Sequence, residues 1–104
     1  MNVDHAAAQL AELGNPTRLR IVRLLVRAGH QGRTVGELQR RLGVPASTLS
    51  HHLAHLRHAA LIEQRREGTV LRCLARLERL EALVGFLTAE CCVEERAARS
   101  GEAA

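Results

Sequence analysis

The chain has 104 residues, 46% hydrophobic and 25% charged, a length that serves one hydrophobic core and a composition that folds. Residues 1–104 are therefore read as a single domain. A membrane span is excluded because no apolar run approaches the ~20 residues one needs, and Met1-Asn2-Val3-Asp4-His5 carries neither half of a secretory leader, so the expected compartment is the cytoplasm.

Asp4–Leu13 are strong helix formers opened by an acid and closed by Gly14. Asn15-Pro16-Thr17 reads as the N-cap, N1 proline and first turn of a second helix, with Leu19, Val22, Leu25 and Val26 inward and Gly29 as its stop. After a polar loop, His30–Arg33, Thr34-Val35-Gly36-Glu37 forms a capping box for a short third helix with Val35, Leu38 and Leu42 inward. Gly43-Val44-Pro45 then turns into a fourth helix from about Ala46, whose buried stripe is Leu49, Leu53, Leu56 and Ala60. Two short helices about so tight a turn predict a helix-turn-helix. Leu61–Arg66 and Thr69–Leu74 around Glu67-Gly68 predict a basic β-hairpin. The last helix is expected over about 75–95, with Leu77, Leu80, Val84, Leu87 and Cys91 as a lengthwise seam, followed by a frayed tail from Ala97. The fold class is mainly α with a small β-hairpin.

All fifteen basic residues are arginine, and charge is unevenly placed: −2 over residues 1–14, +9 over 15–80 and −3 over 81–104. A basic centre between acidic ends suits a phosphate-binding surface. Phe86 is the only aromatic residue, so stacking platforms for single-stranded nucleic acid are missing and duplex DNA is the expected partner. Ser47, Thr48, Ser50 and His51 fall on the first turns of the fourth helix, off its apolar stripe, where side chains reach base edges or phosphates in a major groove. Arg57 lies further along it, and Arg65, Arg66 and Arg72 on the hairpin are placed for adjacent backbone. No nucleophile–base pair or glycine-rich phosphate loop is visible, and no enzymatic activity is expected.

His51, His55 and His58 fall at i, i+4 and i+7 on one helical face. That spacing can chelate zinc, but the face is read as pointing to solvent or DNA, where a metal would obstruct binding. His52, beside the apolar stripe, is read as a packed, hydrogen-bonded residue.

Helix, helix, helix-turn-helix, hairpin, helix is the order of a winged helix. Leu13-Gly14-Asn15-Pro16-Thr17-Arg18-Leu19-Arg20-Ile21, Ser50-His51-His52-Leu53 with Leu56–Ile62, and Arg66-Glu67-Gly68 together resemble the ArsR family of metal- and metalloid-responsive repressors, over roughly residues 8–92. The resemblance implies a homodimer joined through its first and last helices, about residues 4–13 and 75–95, that binds operator DNA when free and releases it when an inducer binds. Thr34-Val35-Gly36-Glu37-Leu38 stands where the best-known arsenite site has Cys-Val-Cys-Asp-Leu, and Leu77 and Arg79 stand where the zinc-type site has Asp-x-His, so both of those sites are missing.

Cys73, Cys91 and Cys92 remain. Adjacent thiolates select soft ions and thiophilic metalloids, and paired cysteines near the end of the last helix resemble those of some arsenite-responsive members. Antiparallel pairing of the last helices, as in the family's dimers, would bring Cys73 of one subunit to the cysteine pair of its mate as a third ligand. The expected inducer is arsenite, another trivalent arsenical or antimonite, with no obligatory cofactor. Two thiols would suit a mono-organic arsenical and three the inorganic ion. The competing readings are a redox or persulfide sensor using the same cysteines and a winged helix serving protein interaction without an operator.

Overall fold

The computed structural model describes residues 1–103. Helix α1 (Val3–Leu13) starts on an Asn2 cap whose side chain accepts from the His5 N–H, and α2 (Pro16–Ala28) starts on Asn15, whose side chain accepts from the Arg18 N–H. The second cap was legible, because the proline at the first helical position marks it; the first was not, because nothing around Asn2 distinguishes it. A single 3-10 turn (Gly29–Gln31) leads into β1 (Arg33–Thr34). The Thr34 hydroxyl accepts from the Glu37 N–H and opens α3 (Val35–Leu42), which Gly43 ends in the left-handed conformation. Then follow α4 (Ala46–His58), β2 (Ile62–Glu67), β3 (Val70–Ala75), α5 (Leu77–Thr88) and α6 (Val93–Ala103).

The sheet is antiparallel in the order β1-β3-β2, with Arg65 opposite Arg72 and Gln64 opposite Cys73. Strand β1, which pairs Arg33 with Cys73 and Thr34 with Arg72, takes the last residue of the expected loop and the residue expected to cap the third helix. Two residues are too short for an alternation to be seen in sequence, and the pairing is supplied by β3. Gly32 makes it feasible: at φ +61° its Cα lies so close to β3 that a Cβ would overlap the Cys73 carbonyl oxygen and sit 2.9 Å from Leu74 Cγ.

Ile21, Val22, Leu25, Leu38, Leu49, Leu53, Leu56, Leu61, Ile62 and Cys73 form one core. The α2 face is rotated from the expected one. Ile21 is buried, while Leu19 and Val26 are each 44% exposed, because α2 turns this stripe toward β3 and α4. Ala60 does not extend the α4 stripe; it takes φ +61° just past the helix end. Helix α1 is tied to that end by buried Gln9, whose side-chain amide donates to the Ala59 carbonyl at 3.0 Å.

The last helix departs most from expectation. It breaks after Thr88, and Cys92 takes φ +62° before α6 begins. Ala89, which follows the helix, keeps helical angles, and the chain is redirected only at the close of the next turn, by the left-handed Cys92; no glycine or proline marks either place, so the sequence carries no stop signal. The tail expected to fray is helical through Ala103. Its alanines favour helix intrinsically and Glu95 pairs with Arg99 one turn on, so it forms although residues 91–101 are all exposed.

Candidate DNA-binding surface and thiol pair

Leu49, Leu53 and Leu56 bury one side of α4 and so turn Ser47, Thr48, Ser50 and His51 outward, where all four are exposed. No side chain caps the start of α4, which leaves the positive end of its dipole directed at whatever approaches its first turn. Arg57, near the other end, donates to Gln64 Oε1 on β2 at 2.7 Å and so links the helix to the hairpin.

The three hairpin arginines do not act as one patch. Strand alternation and register place Arg66 on the sheet face of Gln64, toward α4, and put Arg65 and Arg72 as a cross-strand pair on the opposite face. Arg65 pairs with Glu63 at 2.8 Å; Arg72 pairs with Glu67 at 2.8 Å and donates to the Gln31 carbonyl at 2.9 Å. The Glu67 hydrogen bond and charge push the Arg72 guanidinium's pKa above its ordinary value. Arg66 is exposed and has no ion-pair partner among the described residues. It is the wing arginine freest to meet phosphate. Arg66→Ala should weaken DNA binding evenly across sequences and lower the slope of log affinity against log salt by about 0.9, one phosphate contact's worth. Anisotropy titrations at several salt concentrations check this.

Behind the exposed polar side of α4 lies a polar node that sequence spacing did not reveal. Glu12 Oε2, shielded from solvent, makes no hydrogen bond of good geometry but lies 3.0 Å from His55 Nδ1 and 3.5 Å from Arg18 Nε. Arg18 also donates to the Glu12 carbonyl at 2.6 Å and contacts His52 Nδ1 at 3.3 Å. His52 is thus half-buried and bonded as expected, and burial, then the Arg18 charge, lower its pKa. His55 is not the freely solvated residue its spacing suggested: Glu12 on α1 lies against one side of its ring. Its other nitrogen, Nε2, lies 3.1 Å from His51 Nε2.

The cysteines separate into two environments. Cys73 is 0% exposed within the core, with Gln64 donating to its sulfur at 3.5 Å, and burial pushes its thiol pKa up. The geometry gives no support to Cys73 as a third ligand, because a partner's thiolates would have to open the core to reach it. Cys91 and Cys92 are exposed with their sulfurs 3.2 Å apart. The Cys91 hydrogen bond, then desolvation and Glu95, raise the Cys92 pKa. Left-handed backbone at a cysteine costs about 1–2 kcal/mol, and such strain gathers where a side chain must be aimed. A thiol reagent should titrate two cysteines of the native protein rapidly and the third only on unfolding. Three fast thiols would contradict the burial of Cys73.

Val84 and Leu87, expected to continue a packed seam, are 61% and 59% exposed, and Val3 on α1 is 70% exposed. Val3, Phe86, Leu87 and Cys91 line an open groove of about 630 Å³ between the start of α1 and the end of α5. No described helix is long and apolar enough to cross a membrane.

A helix-turn-helix with polar side chains on its second helix, flanked by an arginine-bearing hairpin, defines a winged-helix DNA-binding protein. Residues 13–65 match the family described as "Helix-turn-helix domain". The chain is 34% identical over 86 residues to the HTH-type transcriptional regulator YgaV of Escherichia coli (strain K12), covering 83% of this chain and 85% of that one. Among solved structures it resembles the homodimeric winged helix-turn-helix DNA-binding domain of Mb0332 from Mycobacterium bovis, described as a possible ArsR-family regulator, with TM-score 0.67, 32% identity, and 85% and 82% of the two chains covered. It also resembles the transcriptional repressor BigR from Xylella fastidiosa, with TM-score 0.67, 30% identity, and 86% and 88% covered. The chain belongs to the ArsR family of winged helix-turn-helix transcriptional regulators. It is a regulator of transcription, not an enzyme.

Proposed function

We propose that the protein is a homodimeric repressor that leaves its operator when a soft, thiophilic inducer, foremost a trivalent arsenical, bridges Cys91 and Cys92. The observation that carries this is the exposed pair of sulfurs 3.2 Å apart. Two bonds of about 2.3 Å, the length of a metal–thiolate bond, reach one centre from sulfurs so spaced at an angle of about 88°. That is compressed for a tetrahedral ion and suits a pyramidal centre with a lone pair. Each thiol proton leaves with an arsenic-bound hydroxide as water. Two thiolates leave the third arsenic valence for one substituent, and with Cys73 in the core the two-thiol arrangement favours a mono-organic arsenical over the inorganic ion. The apolar groove beside Cys91 is a place for that organic group.

Repression is supported by the likeness to BigR, and dimer formation by the homodimeric Mb0332 domain and by the exposed apolar residues of α1 and α5. Pairing through these helices would set the spacing of the two α4 helices, which must match half-sites about 34 Å apart. An inducer at the α5 end would act by changing that spacing. In action on DNA the protein would work in the cytoplasm.

The test is anisotropy of a labelled duplex from upstream of the gene, titrated with reduced protein and then with phenyl- or inorganic trivalent arsenic. Release, reversed by a chelating dithiol without oxidant, is expected, at lower concentration for the phenyl compound. The same sulfur spacing also serves a second reading, oxidation or persulfidation of the pair. Release only by an oxidant or sulfur donor would establish that reading and end the first.

A further inference from the structure

The histidines of the recognition helix supply a site that the thiol chemistry does not use. His51 and His55 stand one turn apart on α4, with Nε2 nitrogens 3.1 Å apart and ring centroids 4.4 Å apart. Bonds of about 2.0–2.1 Å from both nitrogens to one ion meet at an angle of about 98°, within the range of tetrahedral and octahedral coordination. Glu12 Oε2 lies 3.0 Å behind His55, against Nδ1. A carboxylate there favours the tautomer with the proton on Nδ1, the arrangement that orients histidine ligands in metal proteins; His55 Nε2 then accepts a hydrogen bond from His51 Nε2–H in the metal-free chain, and an ion takes the place of that one proton, which leaves to solvent. The node is built across the fold, since Glu12 comes from α1 and is itself held near Arg18 of α2.

We infer that His51 and His55 form a two-ligand site for a borderline divalent transition metal, zinc, nickel or copper(II), with Glu12 as the positioning residue and water in the remaining coordination positions. Imidazole nitrogen suits these metals, whereas calcium and magnesium prefer oxygen. Occupation has a consequence for DNA. His51 is exposed on the side of α4 that carries Ser47, Thr48 and Ser50, so the ion and the major groove compete for one side chain. The site is thus a second, cysteine-independent means of releasing DNA, on α4 itself and away from the Cys91–Cys92 pair.

The experiment uses the full chain carrying Cys91→Ser and Cys92→Ser, which removes the exposed thiols and leaves the buried one. Zinc and nickel binding are followed by calorimetry, with duplex anisotropy in parallel. One ion per chain is expected, with affinity falling at least tenfold in His51→Ala and in His55→Ala, and about 10–100-fold in Glu12→Gln. His30→Ala, outside the node, should change nothing. Circular dichroism of each variant keeps loss of fold distinct from loss of a ligand. Metal should release duplex from the doubly substituted chain, and the His55→Ala form should resist. Binding that ignores both histidine substitutions, or a chain that takes no metal, would overturn the site; duplex retained at saturating metal would overturn the competition. Neither result bears on the arsenical response, which is read on the protein with its thiols intact.

Discussion

Replacing either Cys91 or Cys92 by serine should weaken the proposed response to arsenicals at least 100-fold while leaving DNA affinity and folding intact. Both side chains are exposed and contribute nothing to the core, so the stability change should stay within about 0.5 kcal/mol. The effect on inducer binding is far larger. With one thiolate bound, the second is delivered from 3.2 Å away instead of from solution, and linkage of this kind raises affinity by about 10²–10⁴-fold. Each single variant should therefore need at least 100-fold more inducer for half-release. Cys73→Ser should leave the inducer concentration unchanged and lower stability, since it places a hydroxyl in an apolar core with Gln64 as its one side-chain neighbour for hydrogen bonding. Anisotropy for release and thermal melting for stability separate the two outcomes.

Gly32→Ala should be the most damaging single methyl in the chain. The residue sits at φ +61° and ψ −161°, a region open essentially to glycine alone, and its Cβ would collide with the β3 backbone at Cys73 and with Leu74. Conformational strain of about 1–3 kcal/mol and overpacking of about 1–3 kcal/mol combine. The expected loss is about 3–5 kcal/mol, enough at this chain length to lower Tm by about 15–30 °C. Because β1 is held to β3 at this point, the hairpin should lose order first, and DNA binding with it. Gly68→Ala at the hairpin tip has a comparable φ of +63° but open space around it, and should cost only about 1–2 kcal/mol. Equal losses at the two positions would show that backbone angle, not the close approach to β3, sets the penalty.

These two cases show what the sequence disclosed and what it hid. Thr34 and Glu37, Asn15 and Pro16, and Gly43 before Val44-Pro45 mark helix ends through local chemistry, and every one lies where expected. Leu49, Leu53 and Leu56 fixed the buried side of α4 and therefore which of its residues face outward. Local signals failed where a distant strand or an uncommon backbone angle decided. Strand β1 exists only because β3 accepts it, and the last helix breaks after Thr88, before a turn that closes on the left-handed Cys92 and holds none of the usual stop residues. The Glu12–His55 contact joins residues far apart in sequence, so helical periodicity could place His55 on a face but not say what stood opposite. Cys73 was ambiguous because alternation along β3 names a face, while its burial depends on the distant elements packed against that strand, α2 foremost.

In the proposed mechanism one inducer bridges Cys91 and Cys92, and this event releases DNA. The most direct measurement counts reactive thiols on the native protein while arsenical is added in known ratio to a protein–duplex mixture. Two fast thiols should disappear together at one arsenical per chain, in step with the fall in anisotropy. Release of DNA with both thiols still reactive, or their loss with DNA still bound, would contradict this mechanism.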